Sequence, residues 1–241
     1  MSGAAAFGNI FRIPELKKKV FFTLGILVVY RIGAHIPTPG INSAALAEVM
    51  ARMTGTIMGF FDMFSGGALS RLTIFALGIM PYISSSIILQ LMTMVSPYLA
   101  RLKKEGEQGQ KKITQYTRYG TIVLSMIQSS GIAVGLEAMK SPSGNPLVPM
   151  PGWDFRVMTV LTLTAGTAFL MWLGEQITEK GIGNGISLII FAGIVAGTPA
   201  AIFQSMDLMG TGELSVLVML FLMVFMAAVV GAIVFTEGGQ R

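Results

Sequence analysis

Long apolar blocks alternate with short polar ones along this chain. Six stretches approach the roughly 20 apolar residues that a helix needs to cross a bilayer core: 20–36, 72–95, 119–136, 157–173, 186–203 and 214–235. The pattern predicts an all-α, polytopic membrane helix bundle. The polar connections differ in kind. Residues 101–112 read RLKKEGEQGQKK, a strongly charged loop, whereas 141–153 read SPSGNPLVPMPGW, rich in turn formers and free of charge.

One apolar segment is too short to cross. Residues 57–70 read IMGFFDMFSGGALS, and Gly66-Gly67 interrupts them. Non-helical backbone at membrane depth survives only inside protein or against a water-filled cavity. The segment therefore either folds back into a cavity from one side or lies flat on the membrane surface, and the pattern does not choose between these.

Two predicted spans are unusually polar. The second holds Pro81, Ser84, Ser85, Ser86 and Gln90, and the third holds Gln128, Ser129 and Ser130. Such groups ordinarily bond neighbouring helices, at about 0.6 kcal/mol each. On two adjacent spans they also suit a path or seam. Pro81, which lacks a backbone donor, is expected to kink the second helix.

Composition narrows the function. Only 12% of residues are charged and 53% are hydrophobic, against roughly 25% charged in soluble domains. There is no cysteine and one histidine, His35, so thiolate metal sites and multi-histidine clusters are excluded. The net charge of +5 follows from basic loops rather than from nucleic-acid binding. Arg12, Lys17, Lys18, Lys19, Arg101, Lys103, Lys104, Lys111, Lys112, Arg118, Lys180 and Arg241 fall on one predicted side. Arg31, Arg52, Arg71, Lys140 and Arg156 fall on the other. Twelve against five places the amino terminus in the cytoplasm, and six spans return the carboxyl end there. No small-x-small cleavage site follows the first apolar stretch, so that stretch is expected to be retained.

Chemistry-bearing motifs are scarce. Gly181-Ile182-Gly183-Asn184-Gly185 is not a dinucleotide fingerprint and follows a span rather than a strand, so it reads as a tight turn between the fourth and fifth spans. The chain has no Walker A sequence, no paired intramembrane acids and no serine–histidine arrangement, which argues against an intramembrane enzyme. No cofactor is expected. A secondary transporter would carry charges near the midplane. Arg31 is the sole charge well inside a predicted span, near enough to its end to snorkel to the interface.

Three strings closely resemble the bacterial SecY family. They are MFSGGALS at 63–70 leading into IFALGIMPYIS at 74–84, KKEGEQGQKKITQYTRYG at 103–120, and FLMWLGEQITEKGIGNGISLIIFAGIVAG at 169–197. The resemblance covers essentially the whole chain and is weakest at 140–151. It implies the first five-span half of an inverted repeat (20–203) and the sixth span (214–235). Short cytoplasmic ends at 1–19 and 236–241 flank them, and the remaining carboxyl-terminal half of the family's ten-span chain is expected as a partner.

The resemblance also implies roles. Ile79, Ile83, Ile186 and Ile190 match a mid-membrane pore ring. Phe61, Asp62, Met63, Phe64, Ser65, Gly66, Gly67, Ala68, Leu69, Ser70 and Arg71 match a plug within about 57–71. Ser84, Ile88, Gln90 and Gln128 match one wall of a lateral gate. Lys103, Lys104, Lys111 and Lys112 either form a cytoplasmic contact surface for partners or anionic headgroups or serve only to set topology. The implied partners are SecE and SecG in the membrane, SecA or the ribosome at the cytoplasmic face, signal sequences, nascent polypeptides and membrane lipids.

Overall fold

The computed structural model describes residues 13–53, 57–212 and 215–238. Among these, nine helices follow one another: α1 (Pro14–Gly33), α2 (Ser43–Met53), α3 (Ile57–Phe64), α4 (Met80–Val95), α5 (Pro97–Lys104), α6 (Glu107–Ala138), α7 (Trp153–Lys180), α8 (Gly185–Gly210) and α9 (Val216–Gly238). Apart from the isolated bridges Pro37–Thr73 and Lys140–Pro146, the described residues are helical, turned or irregular. Arg12 and Arg241, counted above for topology, lie outside the described residues.

The chain divides after Ala196 into two units. The first holds α1 to α7 and the start of α8. The second holds the rest of α8 and the long apolar α9.

Among the described residues four helices are long and apolar enough to cross a membrane: α6, α7, α8 and α9. The number becomes five if α4 and α5 form one broken span. The first expected span falls short because Lys17, Lys18 and Lys19 occupy the early turns of α1 and Arg31 its last. The second departs more. Residues 65–79 are turns, and the helix begins only at Met80. Pro81 therefore sits in the first turn of α4 and does not kink it. A proline costs nothing there, because the N–H it lacks would have had no helical partner. The preceding residues are held otherwise. Thr38 N–H donates to the Leu72 carbonyl at 2.9 Å, and Ile74 N–H to the Ile36 carbonyl at 3.0 Å.

Pro97 ends α4. Ser96 before it is extended (ψ 116°), as a pre-proline residue prefers, and α5 departs at 100° to α4. The charged loop expected at 101–112 is mostly helix, formed by the end of α5 and the start of α6. Lys, Arg, Glu and Gln are good helix formers wherever they remain solvated. Leu99 and Leu102 of α5 bury against Ile113 of α6 and Leu89 of α4.

Lipid is as apolar as leucine, so close packing rather than hydrophobic burial must hold the spans together. Ser85 of α4 donates to the Thr117 carbonyl of α6 at 2.9 Å, and Gly120 leaves space for its hydroxyl. Arg118 of α6 pairs with Glu175 of α7 at 2.7 Å. Two cores result. One gathers Leu46, Leu72, Leu77, Leu136, Leu147 and Phe155. The other gathers Ile26 and Tyr30 of α1, Ala68, Phe75 and Ile79 of the turn region, Leu170 and Leu173 of α7, and Ile189 of α8.

The glycine-rich 181–185 segment is the tight turn that the sequence predicts. Gly183 has φ +66°, and the Asn184 side chain caps α8 by accepting from Ser187 N–H at 3.2 Å. Ile182 N–H donates to the Thr23 hydroxyl at 3.2 Å, which ties the turn to α1.

Candidate functional site

After α3 the chain folds back on itself. Asp62 Oδ1 accepts from Ser70 N–H at 2.8 Å, and Gly67 N–H donates to the Asp62 carbonyl at 3.0 Å. The Ser65 hydroxyl donates to the Asp62 carbonyl at 2.9 Å and accepts from Leu69 N–H at 3.2 Å. Gly66 and Gly67 take φ of +66° and +81°, left-handed conformations that side chains disfavour. The segment thus satisfies much of its own backbone, which an irregular stretch away from water requires. These turns favour the folded-back reading over a helix lying flat.

Three groups hold the segment from outside. The Tyr30 hydroxyl donates to the Ser65 carbonyl at 3.2 Å, and Arg31 Nη1 donates to the Gly66 carbonyl at 3.1 Å. Gly66 also approaches Gly193 of α8, so that a Cβ on Gly66 would stand 3.0 Å from the Gly193 Cα. Arg31 therefore does not simply snorkel away, as its place near a span end suggested. Neither Tyr30 nor Gly193 was singled out by sequence. The available signal was the intramembrane charge at Arg31, which by itself marks function.

Against this segment lies a half-open, almost wholly apolar cavity of about 600 Å³. Ile79, Ile83 and Ile190 line it, together with Phe64, Ser65 and Leu69 of the folded-back segment and Ser84 and Gln128 of α4 and α6. Three of the four expected ring isoleucines thus share one space. Ile186, one turn before Ile190, is not among the lining residues. It packs on Gly174 of α7, its Cδ1 standing 2.5 Å from where a Cβ there would be.

The expected gate residues also separate. Ser84 and Gln128 face the cavity, whereas Ile88 is 50% exposed and Gln90 is exposed, reaching only Ser86 Oγ at 3.5 Å. Of the expected plug residues, Asp62 bonds within the segment, Ala68 is fully buried, and Met63 and Arg71 are exposed. Phe61 falls in α3, but its side chain lies outside the described residues. Lys103, Lys104, Lys111 and Lys112 are all exposed around the α5–α6 junction. Among the described residues no three acids or histidines cluster in a way that could hold a metal ion.

The described residues form a bundle of apolar helices beside a half-open apolar cavity that the folded-back segment lines on one side, the architecture of a polytopic helical membrane protein. The SecY family pattern matches residues 73–241. The protein translocase subunit SecY of Escherichia coli K12 is 58% identical over 229 residues, which is 95% of this chain and 51% of the relative. That of Aquifex aeolicus is 48% identical, over 96% of this chain and 54% of the relative. Two solved structures share the fold at a TM-score of 0.50 and 19% identity. One is described as a protein conducting channel, and the other as Sec61 in the canine ribosome-channel complex. Each covers 76% of this chain, and the chain covers 39% and 40% of them respectively. This chain belongs to the SecY family, and it spans about half the length of the curated relatives it matches.

Proposed function

We propose that the chain forms the amino-terminal part of the channel subunit that moves secretory polypeptides across a bacterial plasma membrane and releases membrane segments sideways into lipid. The observation that carries this reading is the apolar cavity shared by Ile79, Ile83 and Ile190 and abutted by the 62–71 segment. Branched apolar side chains close a narrow water path by dewetting, and they fit around a passing chain without demanding a particular hydrogen bond. That suits a substrate of varied sequence. Ser84 and Gln128, on two different helices at the cavity wall, give a seam with modest polar contacts, from which a hydrophobic signal segment leaves at small cost.

On this reading Ile186 is the fourth member of the ring, Ile88 and Gln90 lie toward the gate's outer surface, and the segment 57–71 acts as the plug. The amino terminus is cytoplasmic, as the basic bias of the loops supports. The exposed Lys103, Lys104, Lys111 and Lys112 then face SecA, the ribosome or anionic headgroups. The remaining carboxyl-terminal half supplies the other gate wall, with SecE and SecG beside it.

The test is photo-crosslinking from position 83 of the complete polypeptide to a stalled secretory chain in native membranes, with Leu24 as a lipid-facing control. A signal-dependent crosslink at 83 and none at 24 is expected. An exported chain that never crosslinks to 83 would remove Ile83 from the path and return the isoleucines to core packing.

A further inference from the structure

From the geometry around residues 65 and 66 we infer that Tyr30, Arg31 and Gly193 form a socket that sets the resting position of the plug segment. The inference rests on the channel reading for its consequence, but not for its geometry. Tyr30 and Arg31 are consecutive on the last turn of α1, and they donate to two consecutive carbonyls, those of Ser65 and Gly66. The opposite wall is Gly193 of α8. A Cβ there would stand 3.0 Å from the Phe64 carbonyl oxygen and 3.1 Å from the Tyr30 hydroxyl. A turn of backbone is thus clasped between two donors and one bare Cα.

Three features single out this contact. Tyr30 is only 3% exposed and stacks on Phe75 with ring centroids 6.0 Å apart, so its hydroxyl is aimed by packing. Arg31 makes no ion pair among the described residues, and its charge meets a carbonyl dipole instead. The bond is charge-assisted on its donor side alone, with no opposite full charge to lock Arg31 into an ion pair. A clasp that must release fits that choice. Finally, both bonds end on backbone atoms, so the socket reads the shape of the turn rather than its side chains. The segment must keep its left-handed glycine at 66, but it is free to vary at Leu69 and Ser70 without losing its seat. Because the clasp joins α1 to α8, any separation of those two helices at this level frees the segment.

The experiment uses the full-length protein in membrane vesicles. These 241 residues hold no cysteine; with any cysteine elsewhere in the full-length protein replaced by serine, a reporter cysteine replaces Ala68, which is fully buried in the segment. A second reporter replaces Ala133, equally buried in the other core. Labelling by an impermeant maleimide is timed in Tyr30→Phe, Arg31→Ala, Arg31→Lys and Gly193→Val backgrounds. Tyr30→Phe keeps the ring stack and removes only the hydroxyl.

Loss of one such bond is expected to speed labelling at 68 several-fold, and loss of the charged one by about tenfold. Arg31→Lys should recover part of the protection, and labelling at 133 should stay unchanged. Unchanged labelling at 68 in both Arg31→Ala and Gly193→Val would overturn the socket, as would a parallel rise at 133, which reports general loosening. Export of a substrate with a damaged signal, measured in the same variants, separates the two readings. Faster labelling without altered export keeps the socket and denies the segment a gating role. Unchanged labelling denies the socket and leaves the channel reading standing.

Discussion

Gly166 of α7 lies against the backbone carbonyl of Ile74, with no room for a Cβ between them. The contact seats the stretch that leads from the folded-back segment to Ile79, and it matters because the obstacle is backbone rather than a flexible side chain. Phe75 beside it stacks on Phe169 one turn along α7, with centroids 6.2 Å apart. Gly166→Ala is therefore expected to destabilise the full-length protein by about 3 kcal/mol, the upper part of the overpacking range. Thermal unfolding in detergent reads this directly, and an unchanged melting temperature would mean that α7 can move aside freely.

Arg156 and Glu137 join α7 to α6 at the other end of that helix pair. Nε and Nη2 both donate to Oε2, at 2.8 and 2.6 Å, while Gly152 N–H donates to Oε1 at 2.9 Å. Arg156→Ala is expected to lower stability. Arg156→Lys should restore only part of it, because a lysine cannot present two nitrogens in one plane. The loss should shrink in part as ionic strength rises, since the Arg156 side chain reaches solvent while Glu137 is largely covered. A loss independent of salt would mean that Arg156 acts through its contact with Trp153 instead.

How far these relationships were legible in sequence depended on their range. The long spans α6, α7 and α8 follow from apolar length alone, with ends extended by helix-forming charged residues that the apolar pattern could not count. The start of α4 was misread because a proline within an apolar run looks like a kink, while the same proline in a first turn is ordinary. Ile36 and Thr38, which hold residues 72–74 by backbone bonds, gave no local cue. The clasp of Tyr30 and Arg31 on residues 65 and 66 spans 35 positions and ends on carbonyls, so no side-chain pattern could announce it. Gly120, Gly166 and Gly193 are close approaches, yet in an apolar span they read like any other glycine. The ring is proposed for Ile79, Ile83, Ile186 and Ile190 on family resemblance, and i, i+4 spacing alone groups Ile186 with Ile190, which the structure sets against different neighbours.

Glu48 gives a pH-dependent contact. Ser143 donates to its Oε2 at 2.5 Å. The hydrogen bonds from Ser143 and then Ser141 hold its carboxyl below the usual carboxylate range, with Arg52 adding a smaller pull. A carboxyl depressed on folding favours the native state above its ordinary value, about 4.3 for glutamate, and that contribution disappears as pH falls through the lower native value. The hairpin at 140–146 should therefore become more open to protease as the medium is acidified through this window. Ser143→Ala should flatten the dependence. An acid response that survives both Ser143→Ala and Glu48→Gln would place the titrating group elsewhere.

Ile186 and Ile190 stand one helical turn apart on α8, yet they do different things in this structure, and that difference can be measured. Ile190 borders the cavity with Ile79 and Ile83, whereas Ile186 fills the space over Gly174. Ile190→Ser puts a hydroxyl at the wall of the apolar cavity and gives up part of the packing of Ile190 on the second core. On the channel reading it is expected to raise the resting ion leak of the full-length protein in planar bilayers, with a modest loss of stability beside it. Ile186→Ala removes three carbons from a helix contact, with an expected loss of about 2 kcal/mol and little added leak. If Ile186→Ala leaks as much as Ile190→Ser while stability holds, both isoleucines face the pore in the resting channel, and the packing of Ile186 on Gly174 does not describe the assembled protein. If neither variant leaks, the closure does not depend on α8, and the folded-back segment alone must carry it.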